Sequence, residues 1–210
     1  MPRRTPRTLR LAAAFALTAG ALAVGACGPP VGASDRLESA TSPVEQAFAS
    51  GGRVSMQLSA GQYAIEGSAD DKVHVSWETR DPADMRKAGA SVVIAGAEAR
   101  IRTDGPSNGF KVRLAVPART DLDLRLTAGE VHVKGIDGHT DLSAYAGELH
   151  VGVDRADAYR SVDTSVLAGE IQASPFGGST GGVFRSFRWD GPGAWDLRAR
   201  LTAGEIQLRD

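Results

Sequence analysis

Four copies of Ala-Gly-Glu, each followed by an aliphatic residue, constrain this chain more than any other feature. They read Ala128-Gly129-Glu130-Val131, Ala146-Gly147-Glu148-Leu149, Ala168-Gly169-Glu170-Ile171 and Ala203-Gly204-Glu205-Ile206, with a looser fifth copy at Ala60-Gly61-Gln62-Tyr63. From Gly129 to Gly147, Gly169 and Gly204 the intervals are 18, 22 and 35 residues. Repetition on that scale predicts a β-structure of stacked units, each too small to bury its apolar face until a neighbour covers it.

The residues around each glycine say what a unit is. Leu122, Leu124, Leu126 and Ala128 alternate with polar residues before Gly129, and Val131 and Val133 alternate after it. The apolar parity changes from even to odd across the glycine, and the same change recurs at Gly147, Gly169 and Gly204. Period two keeps one face of a strand inward, so an uncompensated slip of one residue would turn the core outward. A bend must absorb the slip. Glycine, without a Cβ and tolerant of positive φ, suits that bend. Each repeat therefore reads as strand, glycine corner, strand, with the corners stacked; unrelated hairpins would not share four tripeptides and one parity change.

Stacking lines up Glu130, Glu148, Glu170 and Glu205 in a column. Rungs lie about 4.8 Å apart, where two unit charges in water repel by about 1 kcal/mol. Such a column could recruit a cation or a basic partner, but the expected state is a solvated row whose carboxylates splay apart or accept backbone N–H groups. Two residues on stand His132, His150, Gln172 and Gln207, a second outward ladder. Paired histidines are metal-ligand types, yet no third ligand stands at a defined spacing, so the positions read as exposed polar ones and no metal or cofactor is assigned.

The amino terminus speaks to compartment. Arg3, Arg4, Arg7 and Arg10 precede an apolar run from Leu11 to Ala26, shorter than the ~20 residues a spanning helix needs. The run ends Val24-Gly25-Ala26-Cys27, which resembles the bacterial lipobox, and Cys27 is the single cysteine of the chain. The expectation is a lipoprotein signal peptide over 1–26, lipidation at Cys27, a Pro-, Gly- and Ser-bearing tether over 27–50 and a β-domain over 51–210. A short helical turn is expected within Val44–Ser50. Removing the first 26 residues, with four arginines and no acid, takes the balance from 24 basic and 25 acidic residues to 20 and 25. That mild acidic excess argues against nucleic acid as a partner. Gly28 after the cysteine, in place of an inner-membrane retention aspartate, favours the outer membrane where the host has one. The location expected is the cell envelope, periplasm-facing or surface-exposed, with the membrane held through the lipid and a protein or envelope polymer as further partner.

Further short alternating runs, Val54–Ala60, Val73–Trp77, Ala90–Ile94, Ala99–Arg102 and Phe110–Val116, predict more strands. Asp81–Lys87 reads as a loop or one helical turn. Phe187, Trp189 and Trp195 gather most of the aromatic mass near the carboxyl end, where a stack needs its open end covered. The run FKVRLAVPARTDLDLRLTAGEVHV from Phe110 to Val133, followed by Gly135, Gly138 and Ala146-Gly147-Glu148, resembles the DUF4097 family of adhesin-like domains. The resemblance spans about residues 50–210, although this chain uses Ala-Gly-Glu where the family commonly has Ser-Gly-Asp. It implies an all-β, single-domain right-handed β-solenoid, or toastrack, and a family without assigned catalytic residues.

No Gly-x-Ser-x-Gly elbow, His-Glu-x-x-His, Walker loop or Cys-x-x-Cys occurs. His139 lies between Asp137 and Asp141 in a turn that reads as solvated. No catalytic residue is assigned. The function expected is a non-catalytic envelope interaction or structural module; the alternatives are a carbohydrate-active enzyme of β-helix type and an envelope-stress sensing accessory protein.

Overall fold

A computed structural model describes residues 42–210; Cys27, the lipobox and most of the expected tether lie outside the described residues. The described chain is an all-β, solenoid-like stack whose strands join in one open sheet. In chain order the strands are β1 (Val44–Ala47), β2 (Arg53–Leu58), β3 (Gly61–Ser68), β4 (Lys72–Thr79), β5 (Gly89–Ala95) and β6 (Glu98–Asp104). They continue as β7 (Phe110–Pro117), β8 (Asp121–Lys134), β9 (Thr140–Gly152), β10 (Tyr159–Ala173), β11 (Gly178–Asp190) and β12 (Trp195–Arg209).

The corner units are β8, β9, β10 and β12, each a long strand bent at its glycine. In β8 the residues Leu122, Leu124 and Leu126 are buried before the bend, and Val131 and Val133 after it. Both arms of one rung thus face the same core, and five residues, 135–139, carry the chain back to the start of β9. Leu124, Leu142, Leu149, Ile171 and Ile206 are wholly buried between the arms. Each such side chain contributes about 1.5–3 kcal/mol by leaving water.

The stacked bends explain the tripeptide. Gly147 sits at φ 128°, and a Cβ there would lie 1.7 Å from the carbonyl oxygen of Gly129 on the rung below. Gly129, Gly204 and Gly169 repeat both features, each against the glycine of its neighbour. The glycine is required twice over: for a left-handed backbone and for a separation at which no side chain fits.

The order of the rungs departs from chain order. β8 pairs in parallel with β9, β9 with β12, and β12 with β10. The last strand therefore fills a slot between β9 and β10, so the glutamate column runs Glu130–Glu148–Glu205–Glu170. β10 instead turns through Ser174–Phe176 into β11, which returns antiparallel along it and forms that end of the stack. The Gly-rich stretch that lengthens the last interval is this strand. Phe187 and Trp189 on β11 pack onto the core, and Phe176 contacts Trp189 with ring centroids 4.8 Å apart, which covers the end as expected.

At the other end the two arms separate. The first arm continues from β8 through β2 and β6 to β5, the second from β8 through β3, β7 and β4 to β1. Val44–Ala47 is thus a strand, antiparallel to β4, and not the helical turn expected there. Its pairing with an otherwise open edge outweighs weak local helical preference, and Phe48 just after it is buried in the core. Asp81 starts a short 3-10 turn over Pro82–Lys87, its carboxylate accepting from Ala83 N–H at 2.8 Å. Among the described residues no helix is long and apolar enough to cross a membrane.

Candidate functional site

The glutamate column and the ladder two residues further on form one hydrogen-bonded system. Period two places residues i and i+2 on the same face of a strand. In every corner rung the side chain at i+2 reaches back to the glutamate of its own rung. His132 Nε2 donates to Glu130 Oε1 at 2.5 Å, and His150 Nε2 donates to Glu148 Oε2 at 3.1 Å. Gln207 Nε2 donates to Glu205 Oε1 at 2.5 Å, and Gln172 Nε2 to Glu170 Oε1 at 3.2 Å. The carboxylates neither simply splay into solvent nor rely on backbone donors; side-chain donors offset the repulsion along the column. A carboxylate only accepts, so these contacts also place a proton on Nε2 of both histidines.

The register sets His132 beside His150 and Glu130 beside Glu148. The two imidazoles stack with centroids 4.3 Å apart and planes within 3° of parallel. Glu130 is the shared acceptor: its Oε1 also lies 3.8 Å from His150 Nε2, and Gln62 on β3 donates to its Oε2 at 3.2 Å. The hydrogen bond from His132, helped by the nearby histidine charges and by Gln62, holds the Glu130 carboxyl below its ordinary value of 4.5 against the opposing effect of partial burial. Glu130, His132 and His150 bring donor atoms within 4.8 Å of one another. The third donor absent from the linear spacing is the glutamate of the histidine's own rung, and Glu-x-His was the signal that could have revealed it.

Exposure along the ladder is uneven. The His132 side chain is 53% exposed and that of His150 only 15%. Gln207, at 7%, is buried because two long side chains, His150 and Gln172, flank it in register, whereas His132 has Ala64 on one side, which corrects the expectation of uniformly exposed positions. His132 and Glu130 border a trough of about 480 Å³ on the outer face, whose other side carries Lys111 and Arg113.

His139 and His74 stand apart from this cluster. His139 is not a freely solvated turn residue: its Nδ1 accepts from Asp196 N–H at 3.1 Å and its own N–H donates to Asp121 Oδ1 at 3.0 Å, tying three rung starts together. Beside it Arg160 grips the Asp196 carboxylate through both Nε and an Nη, which together with Ser161 keeps that carboxyl below its usual value. His74, on β4, faces Glu45 of β1 at 3.4 Å. Cys27 lies outside the described residues.

A second surface feature lies on the outside of the corners, two residues before the glycines of β9, β12 and β10 and two residues after Gly182 on the antiparallel β11. The registers on either side align Tyr145, Thr202, Leu167 and Phe184 across β9, β12, β10 and β11. Tyr145 is 70% exposed and Phe184 80%, and Val183 and Leu167 are also exposed. Among the described residues Phe184 alone has a positive φ without being glycine, at 52°.

No family model and no curated protein matches the chain. Among solved structures it is similar to a putative cell adhesion protein from Clostridium sporogenes ATCC 15579, at 11% identity and a TM-score of 0.49, over 79% of this chain and 97% of that one. A likeness of that size says nothing of what this chain binds.

Proposed function

We propose that this chain is a lipid-anchored cell-envelope protein of the DUF4097 adhesin-like kind, whose β-solenoid is a rigid contact-making module and not a catalyst. The observation that carries the reading is the exposed apolar row Tyr145, Leu167, Val183 and Phe184. Water disfavours such a row, and the left-handed backbone at Phe184 adds about 1–3 kcal/mol of strain. Leu167, Val183 and Phe184 lie on adjacent strands, with Tyr145 beyond Thr202, and exposed apolar side chains gathered in this way are the usual mark of a contact site. The sequence at Val24–Cys27 supports the anchor, and the Pro-, Gly- and Ser-bearing composition after it supports a tether between lipid and module. The regular polar ladders and shallow trough support contact over catalysis, because a reactive centre is expected in a concave pocket with asymmetric acid and base environments.

Three experiments test the proposal. Metabolic labelling with an acyl probe should mark the wild-type chain and miss Cys27→Ser; label on the serine variant overturns the anchor. A photo-crosslinking residue placed at Phe184 of the full chain, in its native host, should give a defined adduct that the same residue at Arg86 does not. Equal background from both positions overturns a contact role for the row. Turnover of an envelope polysaccharide or ester by the purified chain, abolished by one carboxylate or histidine substitution, overturns the non-catalytic reading.

A further inference from the structure

We infer that Glu130, His132 and His150 form a binding site for a divalent transition-metal ion of the zinc class. Two imidazoles and one carboxylate are the ligand types such an ion selects, whereas calcium and magnesium prefer all-oxygen sites. Zinc binds imidazole nitrogen at about 2.0–2.1 Å and carboxylate oxygen at about 2.0–2.2 Å, which puts neighbouring ligand atoms of a tetrahedral site about 3.3 Å apart. The separations here bracket that value: 2.5 Å from Glu130 Oε1 to His132 Nε2, and 3.8 Å to His150 Nε2. Small movements bring the donors into range.

The surroundings favour one set of movements. Parallel rings set their Nε2 atoms side by side, so the ion must displace the proton that each Nε2 donates to its glutamate, and at least one ring must tilt for both to meet a single ion. His150, nearly enclosed between its neighbours, is the fixed ligand; His132, more than half exposed, is free to swing. Gln62 holds the other oxygen of Glu130, which orients Oε1 toward the histidines as supporting hydrogen bonds do around bound metals. Glu148, now accepting from His150 Nε2, lies close enough to help balance the ion's charge. The remaining coordination position opens onto the trough beside Ala64. Half of the ladder is excluded by its chemistry: on the other two rungs the i+2 residue is Gln207 or Gln172, and an amide does not replace imidazole as a transition-metal ligand.

The proposal does not depend on the contact role given above, and it is tested on the full chain stripped with a chelator. Titration with Zn²⁺ against a chromophoric competitor should show one ion per chain, bound at micromolar or tighter dissociation constant. His150→Ala, His132→Ala and Glu130→Gln should each weaken binding by about tenfold or more, as loss of a ligand does, while Gln172→Ala should not. Co²⁺ in the wild-type chain should give the visible bands of a four-coordinate nitrogen-oxygen site. Far-UV circular dichroism of each metal-free variant checks that its fold persists, and the Co²⁺ spectrum keeps the test decisive if one does not fold. A dissociation constant weaker than about 10 μM, affinity unchanged in His150→Ala, or a purely octahedral Co²⁺ spectrum would each overturn the site.

Discussion

The corner column has two halves with one backbone and two chemistries. The rungs of Gly129 and Gly147 carry Glu-x-His, and those of Gly204 and Gly169 carry Glu-x-Gln. All four glycines bend the chain at positive φ within touching distance of the next rung. In all four the donor at i+2 closes onto its own glutamate. Architecture is thus served equally by histidine and glutamine, since each offers one N–H at the right reach. What histidine adds is a titratable nitrogen that binds metal, and it occurs only on the two adjacent rungs beside Gln62 and the trough. A structural requirement repeats along the whole stack; a chemical capability does not.

Breaking the shared backbone should have the largest effect and should not distinguish the halves. Gly147→Val and Gly204→Val are each expected to destabilise the fold by at least ~2 kcal/mol, because a β-branched residue resists positive φ and its Cβ collides with a carbonyl. Urea unfolding monitored by circular dichroism measures both. If one of the two proves neutral, the corners are not equivalent.

A smaller effect should separate the halves by pH. The Glu130 carboxyl is held low in the folded state chiefly by the His132 hydrogen bond, so its contribution to stability is fully present above the ordinary value of 4.5. It fades as pH falls through the lower folded-state value. Unfolding midpoints taken from neutral pH downward should therefore show a shallower acid decline in Glu130→Gln and in His132→Ala than in wild type. Gln172→Ala, in the other half, should leave that decline as it is. An identical slope in all four proteins removes the special role of the histidine half.

The smallest expected effect lies in the charge column itself. Glu148→Gln and Glu170→Gln should each change the unfolding free energy by no more than ~0.5 kcal/mol, since lost repulsion and a weakened exposed hydrogen bond oppose one another. A loss above ~1.5 kcal/mol in either would mean that the column holds the stack together.

Much of this is legible in the sequence. The parity change at each glycine marked both arms of β8, β9, β10 and β12, because inward and outward positions alternate with a period set by the strand itself. The aromatic cover at the carboxyl end was also legible, as Phe187 and Trp189 share one strand face. Less was readable at Val44–Ala47, where the partner that makes a strand of four residues lies on β4, far along the chain. His139 looked like a solvated turn because Asp196, which binds it, is 57 residues away.

Local pattern by itself determined that this protein is a stack of bent strands with glycine corners, a glutamate column and an adjacent polar ladder, since each of those depends only on spacing within one rung. Tertiary structure decided the order of the rungs. Four units with the same tripeptide and the same inward pattern are interchangeable by any local measure, and only packing places β12 between β9 and β10 while β11 closes the end. The same decision determines which side chains become neighbours. His132 and His150 share an acceptor because their rungs are adjacent in register, and Gln207 is buried because stacking sets it between His150 and Gln172. Those are facts of stacking, and no spacing along the chain encodes them.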